Sequence, residues 1–357
     1  MKPGETQSPG ATVGGPKAAA DLSIDEQLEL IGDEELHRYR KLDRTWSIIF
    51  YGVTITATLL AINQMFNLGF LIGYTAIENQ YLYLVAGVLL PLVFVVLPVT
   101  DTKVIAPHFV WYNSILAVAC LVAQAAIAIY GGLNFYPLAM AILLAGLLVV
   151  PRWTSINPLP GIDKVPWYDV VLAVVTFTNL CYFVQNSDRI LEEAWEYTAP
   201  PTAIGFSVVL WALFIEIGRR TGGWTIFWIT IVWSLFPVYA DLLPDIIQGV
   251  SQDFWTTAAF HMMSVESFLG APMQAFAALI LGFLIFGVAM QYTGAGTFFI
   301  NIAFALTGTM KGGPAKTAVF ASGLFGSMSG SAVSNVLTTG SMTIPAMINV
   351  GFKPKVA

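Results

Sequence analysis

Long runs of apolar residues alternate with short polar segments from about residue 45 onward. A helix that crosses roughly 30 Å of hydrocarbon needs about 20 mostly apolar residues. Eight runs approach this length, and aromatic residues stand at many of their ends, as is typical of membrane interfaces. The sequence therefore predicts an all-α, polytopic membrane protein with about eight transmembrane helices: Trp46–Gln64, Tyr81–Val99, Trp111–Gly131, Tyr136–Val150, Tyr168–Val184, Thr202–Ile217, Trp224–Ala240 and Ala271–Gln291.

The basic residues test this count, because Lys and Arg concentrate in the cytoplasmic loops of membrane proteins. With the N-terminus inside, 15 of the 16 Lys and Arg residues fall on the cytoplasmic side, and only Arg189 falls outside. Adding or removing one span in the middle would destroy this asymmetry. The distribution therefore predicts eight spans and a cytoplasmic N-terminus.

The composition narrows the class of protein further. Hydrophobic residues make up 56% of the 357 residues, charged residues make up 11%, and the mean hydropathy is +0.71. Residues 1–44 form a polar tail, which leaves 23 charged residues among the remaining 313. So few charges exclude a soluble enzyme, and a net charge of −6 without a basic block excludes a nucleic-acid binder. Cys120 and Cys181 lie in apolar runs and are interpreted as buried thiols.

Few ionisable residues lie near the spans. Glu216 precedes Arg220 by four residues, so an ion pair on one helix face is expected, with a coupling carboxylate as the alternative. Asp169 stands at a helix start, where an acidic residue suits the helix dipole and needs no function.

The last sixty residues differ from the spans before them. Thr297–Thr309 is apolar but too short to cross, which favours a helix along the cytoplasmic interface. Two apolar stretches follow, Ala315–Phe325 and Met342–Val350, with lysines at both ends of the whole segment. If both ends are cytoplasmic, the segment enters and leaves on one face and forms a re-entrant helical hairpin.

The tip of this hairpin is rich in small polar residues, with five Ser or Asn side chains between Ser327 and Asn335. Irregular backbone at membrane depth is tolerated where it is buried in protein or lines a wet cavity, and secondary transporters bind ions and anions at such tips. The tip is thus a candidate ion or substrate site. The alternative is a closely packed helix pair with Gly326 and Gly330 at its interface and hydroxyls bonded to their own helix.

Catalytic and haem-binding alternatives find little support in the sequence. Neither Ser329 nor Ser331 has glycines two residues away on both sides, so the nucleophile elbow is missing. In the predicted topology His37 and His108 face the cytoplasm and His261 faces the exterior. No nucleophile–base pair and no haem ligand pair results, so the chain is predicted not to be an enzyme.

Several motifs resemble the large permease subunit of TRAP (tripartite ATP-independent periplasmic) transporters. They lie within roughly residues 250–357: Gly312-Gly313-Pro314-Ala315-Lys316, Ser329–Val336, Thr338-Thr339-Gly340, Thr343-Ile344-Pro345 and Gly351-Phe352-Lys353-Pro354. The chain looks closest to the TAXI branch, in which small and large membrane subunits are fused. Residues 45–250 resemble the small-subunit region in layout only, and Ser334 stands where the family usually has Ala.

The resemblance implies a Na⁺-driven uptake system for organic acids in the bacterial inner membrane, with an extracytoplasmic solute-binding protein as partner and no cofactor beyond the coupling ion. It divides the chain into a cytoplasmic tail (1–44), a small-subunit-like region of about seven helices (45–250) and the start of a large-subunit-like transport domain (251–357). It places the ion and substrate site at the hairpin tip, at Ser329, Gly330, Ser331, Ser334, Asn335, Thr338, Thr339 and Gly340. Within that set, Ser331, Asn335 and Thr338 are the expected side-chain ligands of Na⁺.

The family's transport domain continues beyond the first hairpin and contains a second one. We therefore expect the chain to be a fragment, or to be completed by a separate chain, and not to complete a transport cycle alone. A non-transporting membrane scaffold or assembly subunit is the alternative from another functional class.

Overall fold

The computed structural model describes residues 39–40, 42–69, 76–99, 107–131, 165–244, 248–329, 332–353 and 355–357. Within these ranges there is no β-strand. The α-helices are α1 (Arg44–Phe66), α2 (Glu78–Val96), α3 (Pro107–Tyr130), α4 (Trp167–Gln185), α5 (Ser187–Glu192), α6 (Trp195–Thr198), α7 (Pro201–Tyr239), α8 (Phe254–Met263), α9 (Ala271–Ala275), α10 (Leu281–Tyr292), α11 (Ala295–Thr307), α12 (Gly313–Ser329) and α13 (Ala332–Asn349). Six helical stretches among the described residues are long and apolar enough to cross a membrane, which confirms the prediction of an all-α polytopic membrane protein.

The described chain divides into two compact units, Arg38–Ala289 and Met290–Ala357. In the first unit α1, α2, α3 and α4 have 23, 19, 24 and 19 residues, so each is long enough for one crossing. They coincide with four predicted spans. The predicted span Tyr136–Val150 and residues 1–38 of the polar tail lie outside the described residues, so the count of eight spans stays a prediction.

Helix α7 is an antiparallel pair of helical arms. Its 39 residues are interrupted at Gly223, which has φ 72° and ψ −168°. A Cβ atom on Gly218 would lie 3.6 Å from Ile226 Cγ2 and 3.8 Å from Thr230 Oγ1. In one straight helix residues 218 and 230 would be about 18 Å apart, so the two arms fold back on each other. This break separates the predicted spans Thr202–Ile217 and Trp224–Ala240.

His261 on α8 ties the two arms of α7 together. Its ring lies 5.2 Å from the ring of Trp211 on the first arm, and its Nε2 lies 2.7 Å from the carbonyl oxygen of Ser234 on the second. A carbonyl oxygen only accepts, so Nε2 carries the proton. Trp211 and Ser234 stand 12 and 11 residues from Gly223, as expected when antiparallel arms place them at one level.

The predicted span Ala271–Gln291 contains one π-helical turn. Helix α9 leads into the π-helical segment Phe276–Ile280, which continues as α10. Such a turn disturbs the regular hydrogen-bond ladder of an α-helix. The Tyr81 hydroxyl donates a hydrogen bond to the Ala277 carbonyl at 3.0 Å, so α2 supports the segment at this turn.

A buried charge network joins the helices at one end of this unit. Asp169 accepts hydrogen bonds from Arg40 and, at 2.6 Å, from Arg220. Glu216 Oε1 accepts from both Arg219 and Arg220 at 2.7 Å. The predicted Glu216–Arg220 pair is confirmed. Asp169 does lie in the first turn of α4, but the sequence did not reveal its two arginine partners.

The end of α2 completes the network. Arg40 donates to the carbonyl oxygens of Phe94 and Val95 at 3.0 and 3.3 Å. Arg219 donates to the Val99 carbonyl at 3.0 Å and Arg220 to the Leu97 carbonyl at 3.3 Å. The C-terminal end of a helix carries partial negative charge, so these carbonyls offset the excess of three arginines over two carboxylates.

The second unit consists of α11, α12 and α13. Helix α11 has 13 residues, or about 20 Å, which is too short for the hydrocarbon thickness. It covers most of the predicted interfacial helix Thr297–Thr309, although its position at the interface stays a prediction. Ile300 and Ala303 on α11 pack against Ala321 on α12.

Candidate ion-binding hairpin

Helices α12 and α13 form the arms of a helical hairpin. The Nδ2 atom of Asn335 on α13 donates to the carbonyl oxygen and to Oγ of Ser322 on α12, each at 3.1 Å. These residues stand 13 positions apart in the chain, which would be about 20 Å in one straight helix, so α13 folds back on α12 and the two helices run antiparallel. The predicted hairpin is therefore present, and its re-entrant position in the membrane stays a prediction.

The arms approach each other closely beside Asn335. A Cβ atom added to Gly326 would lie only 2.8 Å from Asn335 Nδ2, a distance that real Cβ atoms essentially never show. Any larger residue here would require the Asn335 carboxamide to move. A closely packed helix pair with Gly326 at its interface was the predicted alternative to an ion site, and this part of that alternative is present.

A stripe of polar side chains follows the buried face of α13, with Asn335, Thr339 and Thr343 spaced four residues apart. Thr339 Oγ1 donates to the Asn335 carbonyl, and Thr343 Oγ1 donates to the Thr339 carbonyl, both at 2.7 Å. These two hydroxyl protons therefore bond to their own helix. The oxygen atoms keep lone pairs that can still accept or coordinate.

The side-chain oxygen of Asn335 is the feature of the hairpin that most resembles a ligand. Oδ1 is buried and has no hydrogen-bond partner among the described residues. A buried carbonyl oxygen without a partner costs about 1–3 kcal/mol. A bound cation, which needs oxygen ligands, would remove that cost.

The structure describes only part of the predicted site. Gly330 and Ser331 lie outside the described residues, as do the side chains of Ser329, Ser334 and Thr338, whose backbone is helical. Thr339 and Gly340 are buried on α13. Among the predicted side-chain ligands of Na⁺, Asn335 is thus the one whose side chain the structure places.

Ser322 is a residue of the site that the sequence did not single out, because it lies inside the apolar stretch Ala315–Phe325. The available signal was weak. Ser322 precedes Gly326 by four residues, which places both on one face of α12. Recognising this face as the one turned toward Asn335 required the geometry of the hairpin.

A second hydroxyl pair lies where α11 meets α12. Thr307 Oγ1 and Thr317 Oγ1 are 2.7 Å apart and buried, and Thr307 also donates to the Ala303 carbonyl at 2.7 Å. Both oxygens are satisfied by protein groups. The pair therefore serves to join the two helices and is not a candidate ligand site.

A cavity in the first unit offers few polar groups. A cavity of about 580 Å³ between α1, α2 and the π-helical segment is apolar apart from Gln64, Glu78 and Gln274. The described residues also contain no group of three or more His, Cys, Asp or Glu side chains able to hold a metal ion. The hairpin remains the candidate functional site.

Secondary transporters bind ions and substrates at discontinuous membrane helices, and a helical hairpin with polar side chains between its arms is compatible with that class. Comparison with known families makes the class more specific. Residues 209–357 match the family described as "Tripartite ATP-independent periplasmic transporter, DctM component". The match includes the whole hairpin and supports a TRAP transporter permease.

One curated relative is similar to part of this chain. The "C4-dicarboxylate TRAP transporter large permease protein DctM" of Rhodobacter capsulatus is 37% identical over 70 residues, which are 20% of this chain. The chain covers only 16% of the length of that relative. No solved structure matches the chain.

Proposed function

We propose that the chain is the membrane permease component of a secondary, Na⁺-coupled uptake system for organic acids. The observation that carries the proposal is the hairpin, which lies inside the matched region and presents the buried Oδ1 of Asn335, an atom without a hydrogen-bond partner among the described residues. The name of the curated relative suggests C4-dicarboxylates as the substrate class. The extracytoplasmic solute-binding protein, the bacterial inner membrane and the cytoplasmic N-terminus belong to the same proposal.

The finer assignment is a fused permease of the TAXI type. Residues 45–250 then correspond to the small subunit, and residues 251–357 begin the large one. The Lys and Arg distribution supports the eight-span topology with a cytoplasmic N-terminus that belongs to this layout.

The chemistry of the tip suits an ion and a carboxylate together. Helix α12 ends at the tip and α13 begins there, so a partially negative and a partially positive helix end meet. The first favours Na⁺ and the second favours the carboxylate of a substrate. Neutral oxygen ligands at Ser331, Asn335 and Thr338 would replace the water around Na⁺ without adding buried charges of their own, and the substrate carboxylate would offset the charge of the ion.

Uptake by proteoliposomes tests the proposal. The complete permease that contains these residues is reconstituted with its binding protein, and uptake of a labelled C4-dicarboxylate is measured with an inward Na⁺ gradient or with K⁺ in its place. We expect uptake that depends on Na⁺ and is abolished by the double substitution Ser331→Ala and Asn335→Ala. Uptake that ignores the Na⁺ gradient, or that survives the double substitution, contradicts the proposal.

A further inference from the structure

We infer that Ser322 and Gly326 on α12 are positioning residues that set the Na⁺ affinity of the hairpin by fixing the carboxamide of Asn335. This inference rests on the proposed function, because it concerns the same site. Neither residue is an expected Na⁺ ligand. Both act through Asn335.

The orientation of the Asn335 carboxamide follows from its partner. The Ser322 carbonyl oxygen can only accept a hydrogen bond, so the atom of Asn335 that lies 3.1 Å from it must be the nitrogen. The Ser322 hydroxyl lies 3.1 Å from the same nitrogen and provides a second acceptor. With Nδ2 held by two acceptors, Oδ1 is directed away from Ser322 and stays without a partner among the described residues.

Gly326 makes room for this arrangement. Because a Cβ atom on this residue would lie 2.8 Å from Nδ2, even alanine would displace the carboxamide. Gly323, three residues earlier on α12, has no atom within 4 Å of its Cβ position. The two glycines therefore differ in their contact with Asn335, although they share one helix.

A fixed carboxamide binds an ion better than a free one. If Oδ1 already points to the ion position, binding does not have to restrict the side chain or break an alternative hydrogen bond. Removing the Ser322 hydroxyl leaves the carbonyl acceptor in place, so the loss is that of one hydrogen bond, or about two- to tenfold in affinity. Displacing the whole carboxamide with Gly326→Ala is expected to weaken Na⁺ binding by about tenfold or more.

The experiment measures the Na⁺ concentration that gives half-maximal uptake by proteoliposomes containing the complete permease and its binding protein. Ser322→Ala is compared with Ser327→Ala, whose exposed hydroxyl donates to the Leu324 carbonyl on its own helix. Gly326→Ala is compared with Gly323→Ala. We expect Ser322→Ala and Gly326→Ala to raise the half-saturating Na⁺ concentration, while maximal uptake at saturating Na⁺ and the melting temperature without Na⁺ stay near wild type.

The outcomes separate this inference from the proposed function. Wild-type uptake that does not depend on Na⁺ overturns the proposed function. Na⁺-dependent wild-type uptake with an unchanged half-saturating concentration in Ser322→Ala overturns the inference alone. An equal rise in the Gly323→Ala and Ser327→Ala controls overturns it too. If Gly326→Ala does not fold, Ser322→Ala decides, because it removes one oxygen atom and leaves the helix intact.

Discussion

At the scale of single residues, Asp169 is the centre of the buried charge network. Its two carboxylate oxygens bind Arg40 and Arg220, and none of the three side chains is more than 1% exposed. Burying charges is expensive, and removing one partner leaves the others without compensation. Asp169 thereby connects the segment before α1 with α4 and α7.

We predict that Asp169→Asn destabilises the protein by about 3–5 kcal/mol, because the amide keeps the shape but not the charge that balances two arginines. Thermal unfolding in detergent measures the loss. Glu193→Gln is the matched control, since the Arg189–Glu193 pair is more than half-exposed on the arginine side and should leave the melting temperature nearly unchanged. Equal shifts in the two variants would contradict the structural role of Asp169.

At the scale of elements, the break at Gly223 turns one apolar stretch of 42 residues into two arms. Its φ of 72° with ψ of −168° lies in a region of backbone conformation that is essentially restricted to glycine. The close approach of Gly218 to Ile226 depends on this turn, as does the position of His261 between the two arms.

Gly223→Ala is expected to destabilise the protein by about 1–3 kcal/mol, because alanine strains this backbone conformation even though no atom lies within 4 Å of its Cβ position. Gly52→Ala in α1 is the control. Gly52 also has open space around its Cβ position, but it has helical backbone, where alanine is favourable. Thermal unfolding of both variants decides, and a neutral Gly223→Ala would contradict the break of α7 at Gly223.

At the scale of the whole molecule, the sided distribution of Lys and Arg predicts where each loop lies. Leu191 between α4 and α7, Met310 before α12 and Val356 after α13 are all exposed. The eight-span topology places Leu191 outside, and the re-entrant hairpin places both Met310 and Val356 inside.

Single cysteines at these three positions, introduced after replacement of Cys120 and Cys181, test this arrangement. A membrane-impermeant maleimide added to intact spheroplasts should label Leu191→Cys but neither Met310→Cys nor Val356→Cys until the membrane is permeabilised. Met310 and Val356, which are both predicted to face the cytoplasm, are controls for each other. Labelling of only one of them from outside would show that the hairpin segment crosses the membrane.

The helices could largely be predicted from the sequence, because hydropathy over about 20 residues depends only on local residues. The break in α7 was predicted as well, since Arg219 and Arg220 separate two apolar runs. The partners of Asp169 were not, because they stand 129 and 51 residues away in the chain. Ser322 was missed for a related reason: its role depends on the packing of α12 against α13, which hydropathy does not encode.

The most direct test of the central claim is Na⁺ binding to the purified complete permease, measured with radioactive sodium at constant ionic strength. Asn335→Ala is compared with Asn349→Ala, which removes the same side chain from the exposed end of α13. We predict saturable binding in the wild type and in Asn349→Ala, and an affinity lower by about tenfold or more in Asn335→Ala. Undiminished Na⁺ binding in Asn335→Ala would contradict the assignment of the hairpin as the ion site.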